Sequence, residues 1–255
     1  MRNIVLNSER FGSRVIFLSE CESTNDIALE YLRESKPVDP IIFITDHQTK
    51  GRGQRGNTWL ASKGANLTFS ILWFPKSLLV QDQFVLNQIS SLAIAKTLTD
   101  LGVNNVKVKW PNDVFVRNEK IAGILIENLA AGKYVKASVL GIGLNVNQKS
   151  IDGVNMVSLS ELIKLKLSRE SICEKIIKNL DFFLDAVKNN VIDLQTFYES
   201  NLLAYGKSAN FRDLKGERFV GQIRGVDEQG LLKIDKEGEL VKFAFKEVTL
   251  VNVLE

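Results

Sequence analysis

The sequence predicts an α+β fold, a mixed but largely antiparallel sheet with packed helices, followed by a small β module. Three features predict it. Apolar residues alternate with period two through 106–146, and they recur at helical spacing in 84–101 and again in 158–204. From Lys207 onward, short apolar runs are divided by Gly216, Gly221, Gly225, Gly230 and Gly238, the pattern of a small β-barrel.

The elements follow in order. A short strand around Val15–Leu18 leads to Ser23-Thr24-Asn25-Asp26, where Ser or Thr can cap a helix with Ile27, Ala28, Tyr31 and Leu32 on its apolar face. Pro37 and Pro40 break the chain before a buried strand, Ile41–Thr45. After a glycine-rich loop, Asn66–Phe74 reads as a strand stopped at Pro75. The helix Phe84–Leu101 ends at Gly102, the residue expected just past a helix C-terminus. Val106–Trp110, Val114–Val116, Ile121–Leu129 and Tyr134–Val146 form an antiparallel meander, with turns at Pro111-Asn112, Asn118-Glu119 and Ala131-Gly132-Lys133. The helical stretch Ser158–Ala204 breaks near Ser168 and Val191. A domain boundary falls near Tyr205–Lys207, giving units of 1–206 and 207–255.

Composition excludes several classes of function. The formal net charge is +3, too small for bulk electrostatic binding of nucleic acid. Cys21 and Cys173 are the only cysteines and His47 the only histidine, which argues against a disulfide framework, a structural zinc site or a Ser-His-Asp triad. No signal peptide or membrane-spanning apolar run is evident, so a cytoplasmic protein is expected.

Four features carry chemistry. Lys50-Gly51-Arg52-Gly53-Gln54-Arg55-Gly56 brings backbone N–H groups and guanidinium forks within reach of one anion, though its spacing is not that of a P-loop. A solvated surface loop would also fit it, but Gln48 and Trp59 flank it. In Lys109-Trp110-Pro111-Asn112-Asp113 the Pro-Asn-Asp sequence is ordinary turn chemistry. Lys120 follows across the next hairpin, and cross-strand pairing brings it toward Asp113 as either a nucleotide site or a surface ion pair. In Gly141-Ile142-Gly143-Leu144-Asn145-Val146-Asn147 two glycines in a strand imply close packing against the backbone, or a bulge.

In this order, Ser23-Thr24-Asn25, Gln48 with Gly51–Trp59, Lys109–Asp113, Lys120–Leu125 and Gly141–Asn147 resemble the biotin protein ligase family. The likeness spans nearly the whole chain, since Lys207–Glu255 looks like the family's C-terminal SH3-like barrel. It implies a class II synthetase-like biotin/lipoate ligase catalytic fold. Biotin would be bound by Ser23, Thr24, Asn25, Gln48, Arg52, Gly53, Gln54, Lys120 and Gly123. The nucleotide would be bound by Arg55, Trp59, Lys109, Asn112, Asp113, Lys120, Gly141, Gly143 and Asn145. Lys120, Arg52 and Asp113 would be catalytic, with Asp113 also supporting Mg²⁺, and the substrates would be ATP and biotin.

The resemblance further implies a biotin carboxyl carrier domain as lysine acceptor, while the sheet offers an edge for a homodimer. The chain starts just ahead of the first catalytic strand, so the family's winged-helix DNA-binding domain is not expected. Two departures stand out. Gln54 and Asn57 occupy positions where family members commonly have arginine, and Lys149–Ser158 has no tryptophan to cover adenine, leaving Met156 or Val157 for that role. Lipoate–protein ligase is the neighbouring alternative. A nucleic-acid-binding C-terminal module is disfavoured by its nine basic and nine acidic residues, a net charge of zero.

Overall fold

The computed structural model describes residues 6, 8, 10, 11, 14–164 and 168–254, apart from the side chain of Arg55. Strand β1 (Val15–Leu18) pairs in parallel with β2 (Ile41–Thr45) after a crossover through helix α1 (Thr24–Ser35). Next come β3 (Leu67–Trp73), helix α2 (Val85–Asp100) and a meander of β4 (Val106–Lys109), β5 (Asp113–Val116), β6 (Glu119–Ala131) and β7 (Tyr134–Leu144). β7 returns to pair antiparallel with β3, giving a seven-stranded sheet in the order β1-β2-β3-β7-β6-β5-β4. The expected mixed, largely antiparallel sheet is therefore present, with one parallel pair at its edge.

Helices cover this sheet on both faces. Strand β2 is buried throughout because its two faces meet different helices. Ile41 and Phe43 share a cluster with Ala28 of α1. Ile42 and Ile44 join the larger core, which also holds α2 and helix α4 (Arg169–Lys188). Burying α2 requires its polar residues to be satisfied internally, and the Ser91 and Thr97 hydroxyls donate to the carbonyls of Asn87 and Ala93 at 2.7 and 2.8 Å. The helix ends as expected, with Gly102 at φ 87° and Val103 N–H donating to Leu98 O at 3.0 Å.

The helical stretch after β7 resolves into α3 (Leu159–Ile163), α4 and α5 (Leu194–Ser200). Residues 165–167 of that stretch lie outside the described residues. Ser158 and Glu161 form a capping box on α3, while Ser168 and Asp193 cap α4 and α5. The β5–β6 turn is Arg117-Asn118, one residue earlier than the expected Asn118-Glu119, with Arg117 at φ 57°. No helix among the described residues is long and apolar enough to cross a membrane.

Strands β8 (Ser208–Asp213), β9 (Arg218–Val226), β10 (Leu232–Lys236), β11 (Glu239–Phe243) and β12 (Val248–Val253) form a second, antiparallel sheet in the order β11-β10-β9-β8-β12. Its buried residues Phe211, Ile223 and Ile234 belong to the same apolar core as the main sheet. Polar contacts fix the docking. The Val226 N–H donates to Glu199 Oε1 at 2.9 Å, Gln195 Nε2 donates to Val226 O at 2.9 Å, and Trp110 Nε1 donates to Gly230 O at 2.9 Å. Gly225 and Gly230 permit this approach, since a Cβ at either would overlap Glu199 or the Phe84 ring.

Candidate active site

The site is built on two cross-strand rows. One runs Thr68–Gly143–Gly123–Asp113 and the next Ser70–Gly141–Leu125, across β3, β7, β6 and, in the first, β5. The glycines make room for side chains lying directly on the sheet. A Cβ on Gly143 would come 2.5 Å from the Trp59 ring, one on Gly141 2.2 Å from Asn25 Oδ1, and one on Gly123 3.1 Å from Lys120 Nζ. The first two are closer than heavy atoms tolerate, and the third is a tight contact. The paired glycines Gly141 and Gly143 therefore report close packing, here by side chains from two other segments.

Lys120 owes its place to a bulge in the β5–β6 ladder. Val114 pairs with Ala122 but Phe115 pairs with Lys120, leaving Ile121 unpaired and re-aiming the strand start. Lys120 Nζ lies 2.7 Å from Asp113 Oδ1 and 5.8 Å from the centre of the Trp59 ring. Its backbone is clamped as well, because the carbonyl accepts from Val157 N–H at 3.0 Å and Asn145 Nδ2 at 3.3 Å. Lys109 lies over the Phe115 ring at 4.9 Å, and burial lowers its pKa below the ordinary lysine value, with Asp113 opposing the shift. Asn112 commits Nδ2 to the Ile124 carbonyl at 2.6 Å and so braces the turn.

At the start of α1 the structure departs from the expected cap. Ser23 occupies the N-cap position, but its hydroxyl makes no capping bond. Instead Gln48 Oε1 accepts from the Thr24 N–H at 2.8 Å and lies 3.1 Å from Thr24 Oγ1. The Ser23 hydroxyl and Gln48 Nε2 are left without protein partners among the described residues, although Ser23 is 2% exposed. Asn25 is fully engaged. Its Nδ2 donates to Leu125 O at 3.1 Å and Glu127 Oε2 at 2.8 Å, and its Oδ1 lies 2.6 Å from Ser70 Oγ.

The glycine loop closes on itself. Gly53 N–H donates to Asn57 O at 2.7 Å, Trp59 N–H donates to Gly51 O at 2.9 Å, and Arg52 bridges Thr58. This favours the ordered loop over a solvated surface one. Trp59 Nε1 is buried with no partner among the described residues, a donor available to a ligand oxygen.

These segments enclose a cavity of about 350 Å³, within the range of small-molecule sites. Ser23, Thr24, Asn25, Gln48, Arg52, Gly53, Gln54, Trp59, Lys109, Asn112, Asp113, Lys120, Gly123, Gly141 and Gly143 all line it. The Arg55 side chain lies outside the described residues. One expected residue among the described ones does not line it: Asn145 is buried behind Lys120, where Asn66 Nδ2 donates to its Oδ1 at 3.3 Å. Met156 and Val157 are likewise buried against the Lys120 backbone and do not line the cavity. Among the described residues Asp113 is the one carboxylate on its wall, and no three His, Cys, Asp or Glu side chains cluster to hold a cation.

The sequence reading missed the far wall. Phe245, Lys246, Thr249 and Leu250 line the cavity from the second unit, and Phe245 meets the Trp110 ring edge-on at 6.2 Å. No local pattern marks them, because the chain folds back across more than 100 residues to bring them there. Asp26 and Glu127 were also missed, and both contact Arg52. Glu127 had a signal: in β6 it alternates onto the same face as Gly123 and Leu125.

The fold and the family it matches place the chain among ligases. The structure of biotin protein ligase from Aquifex aeolicus in complex with biotin and ATP superposes with a TM-score of 0.75 at 27% identity, covering 94% of this chain and 99% of that one. Residues 18–145 match the Biotin/lipoate A/B protein ligase family, and the chain belongs to that family. Similar proteins include the biotin–[acetyl-CoA-carboxylase] ligase of Mycobacterium tuberculosis, 30% identical over 88% of this chain and 84% of that protein. The bifunctional ligase/repressor BirA of Escherichia coli is also 30% identical, over 94% of this chain and 74% of that protein.

Proposed function

We propose that this chain is an ATP-dependent biotin protein ligase, forming biotinyl-5'-AMP and then transferring biotin to a lysine of a biotin carboxyl carrier domain. The observation that carries this reading is the convergence of Arg52 and Lys120, from two separate turns, on one cavity. The biotin carboxylate oxygen attacks the α-phosphorus of ATP, and pyrophosphate leaves. The neutral lysine amine of the carrier then attacks the acyl carbon, loses a proton, and AMP departs. The first step brings two anions together, so preorganised cations at that point are what accelerate it.

Ser23 and Gln48, with spare polar groups beside Thr24, suit the ureido ring of biotin. Arg52 and Lys120 suit the carboxylate and α-phosphoryl oxygens, and Lys109 the remaining phosphate charge. Thr24, Asn25, Asn112 and Asn145 serve as braces for these groups. Asp113, the one carboxylate on the cavity wall among the described residues, would hold Mg²⁺. When bound, Mg²⁺ offsets phosphate charge. We assign 1–206 as the catalytic unit and 207–255 as an SH3-like module that completes the cavity, in a cytoplasmic enzyme.

The test mixes the protein with ATP, labelled biotin and a carrier domain, and follows label on the carrier lysine. Labelling with biotin supports the reading. Labelling with lipoate in its place, or with neither, contradicts it.

A further inference from the structure

Arg52 is held by one corner. Its Nη2 lies 2.6 Å from Asp26 Oδ1 and 2.7 Å from Glu127 Oε2, while Nη1 and Nε have no partner among the described residues. The same Glu127 Oε2 accepts from Asn25 Nδ2 at 2.8 Å, and the Asn25 side chain lies against Gly141 on the cavity floor. One carboxylate thus links the loop cation to the floor.

We propose that Asp26 and Glu127 are positioning residues that hold the guanidinium of Arg52 with its free edge toward the acid group of the substrate. The inference rests on the proposed function and deepens it. An arginine on a glycine-flanked loop has many rotamers, and a fork recognises a carboxylate or phosphate well only when its plane is fixed. Two carboxylates on one nitrogen fix that plane and leave the other donors unspent. Arg52 is 38% exposed, so as a surface ion pair this cluster adds little to stability. Its effect falls on anion recognition.

That role is separable from simple support of the pocket, because it acts only on the ligand's charge and only through Arg52. The experiment titrates the full chain with biotin and with the analogue bearing an alcohol in place of the carboxyl group. It compares the parent, Glu127→Gln, Asp26→Asn, Arg52→Ala and the Arg52→Ala/Glu127→Gln double variant. Glu127→Gln is expected to weaken biotin about tenfold, the scale of one charge-assisted hydrogen bond, and to change the alcohol by less than about twofold. Asp26→Asn, at a half-exposed carboxylate, is expected to act in the same direction. In the Arg52→Ala background Glu127→Gln should have no further effect.

Equal losses for acid and alcohol would make Glu127 a pocket support and overturn the inference. So would tighter binding of the acid, or additive effects in the double variant. A parent that binds neither ligand removes the proposed function and this inference together. A parent that binds biotin while both single variants match it removes the inference alone.

Discussion

Lys120 Nζ stands 2.7 Å from Asp113 Oδ1, and a Cβ on Gly123 would meet both groups at 3.1 and 3.4 Å. The pair is thus seated on bare backbone at a point where three strands meet, and the bulge at Ile121 sets its direction. As a stabilising ion pair it is minor, with 32% and 25% of the two side chains exposed. Beside a transferring phosphoryl group, as proposed, a fixed cation would be worth far more.

Lys120→Ala is therefore expected to lower biotin-dependent ATP–pyrophosphate exchange at least about a hundredfold. The melting temperature should fall by no more than about 4 °C, the scale of 1 kcal/mol in a chain of this size. Exchange kinetics and thermal melts on one preparation check both. Near-parental exchange would remove Lys120 from the chemistry.

Gly143→Ala places a methyl 2.5 Å from the Trp59 ring, which must then leave the sheet. Because Trp59 closes the glycine loop through Gly51, the loop should loosen, with exchange reduced about tenfold or more. Tryptophan fluorescence should change in parallel. Unaltered fluorescence and exchange would mean that the ring does not pack there.

Lys109 gives two pH effects of opposite sign. Its folded-state pKa lies below the ordinary 10.5, first because burial disfavours the charge, with Asp113 partly offsetting this. Between the lowered value and 10.5 the folded chain has released a proton that the unfolded chain still binds, so this residue makes stability rise with pH in that window. Across the same window the ammonium is being lost, so ATP affinity should fall. Lys109→Met should weaken ATP binding and flatten both trends, as read from melts and titrations between neutral and alkaline pH. Persistence of the affinity trend in that variant would assign it to another group.

Gly225 has φ 121°, and a Cβ there would sit 2.0 Å from Glu199 Oε1, which accepts the Val226 N–H. Gly225→Ala should cost about 2 kcal/mol from strain and overpacking. It should also reduce adenylation, because the second unit supplies Phe245, Lys246, Thr249 and Leu250 to the cavity. Denaturant melts and exchange assays check this. Lost stability with parental exchange would mean that the far wall is dispensable.

Much of this site is legible in the sequence because its parts are local. The period-two pattern predicts the meander, Asp113 and Lys120 flank one hairpin, and glycines in strands report close approach. What is not legible depends on contacts distant in the chain. The bulge at Ile121 leaves no residue signature, so the register that aims Lys120 appears only in three dimensions. Serine before a helix reads as a cap, yet the Ser23 hydroxyl makes no capping bond, and Gln48, 24 residues away from Thr24, accepts the first helical N–H. The Arg52–Glu127 contact spans 75 residues, and nothing in either local pattern implies it.

The most direct measurement is exchange of labelled pyrophosphate into ATP, followed with and without biotin. Exchange that requires biotin, survives without any carrier domain, and disappears in both Arg52→Ala and Lys120→Ala is the expected result. Exchange that proceeds equally without biotin, or persists when both cations are gone, would contradict the claim that these side chains join an acid to a nucleotide in this cavity.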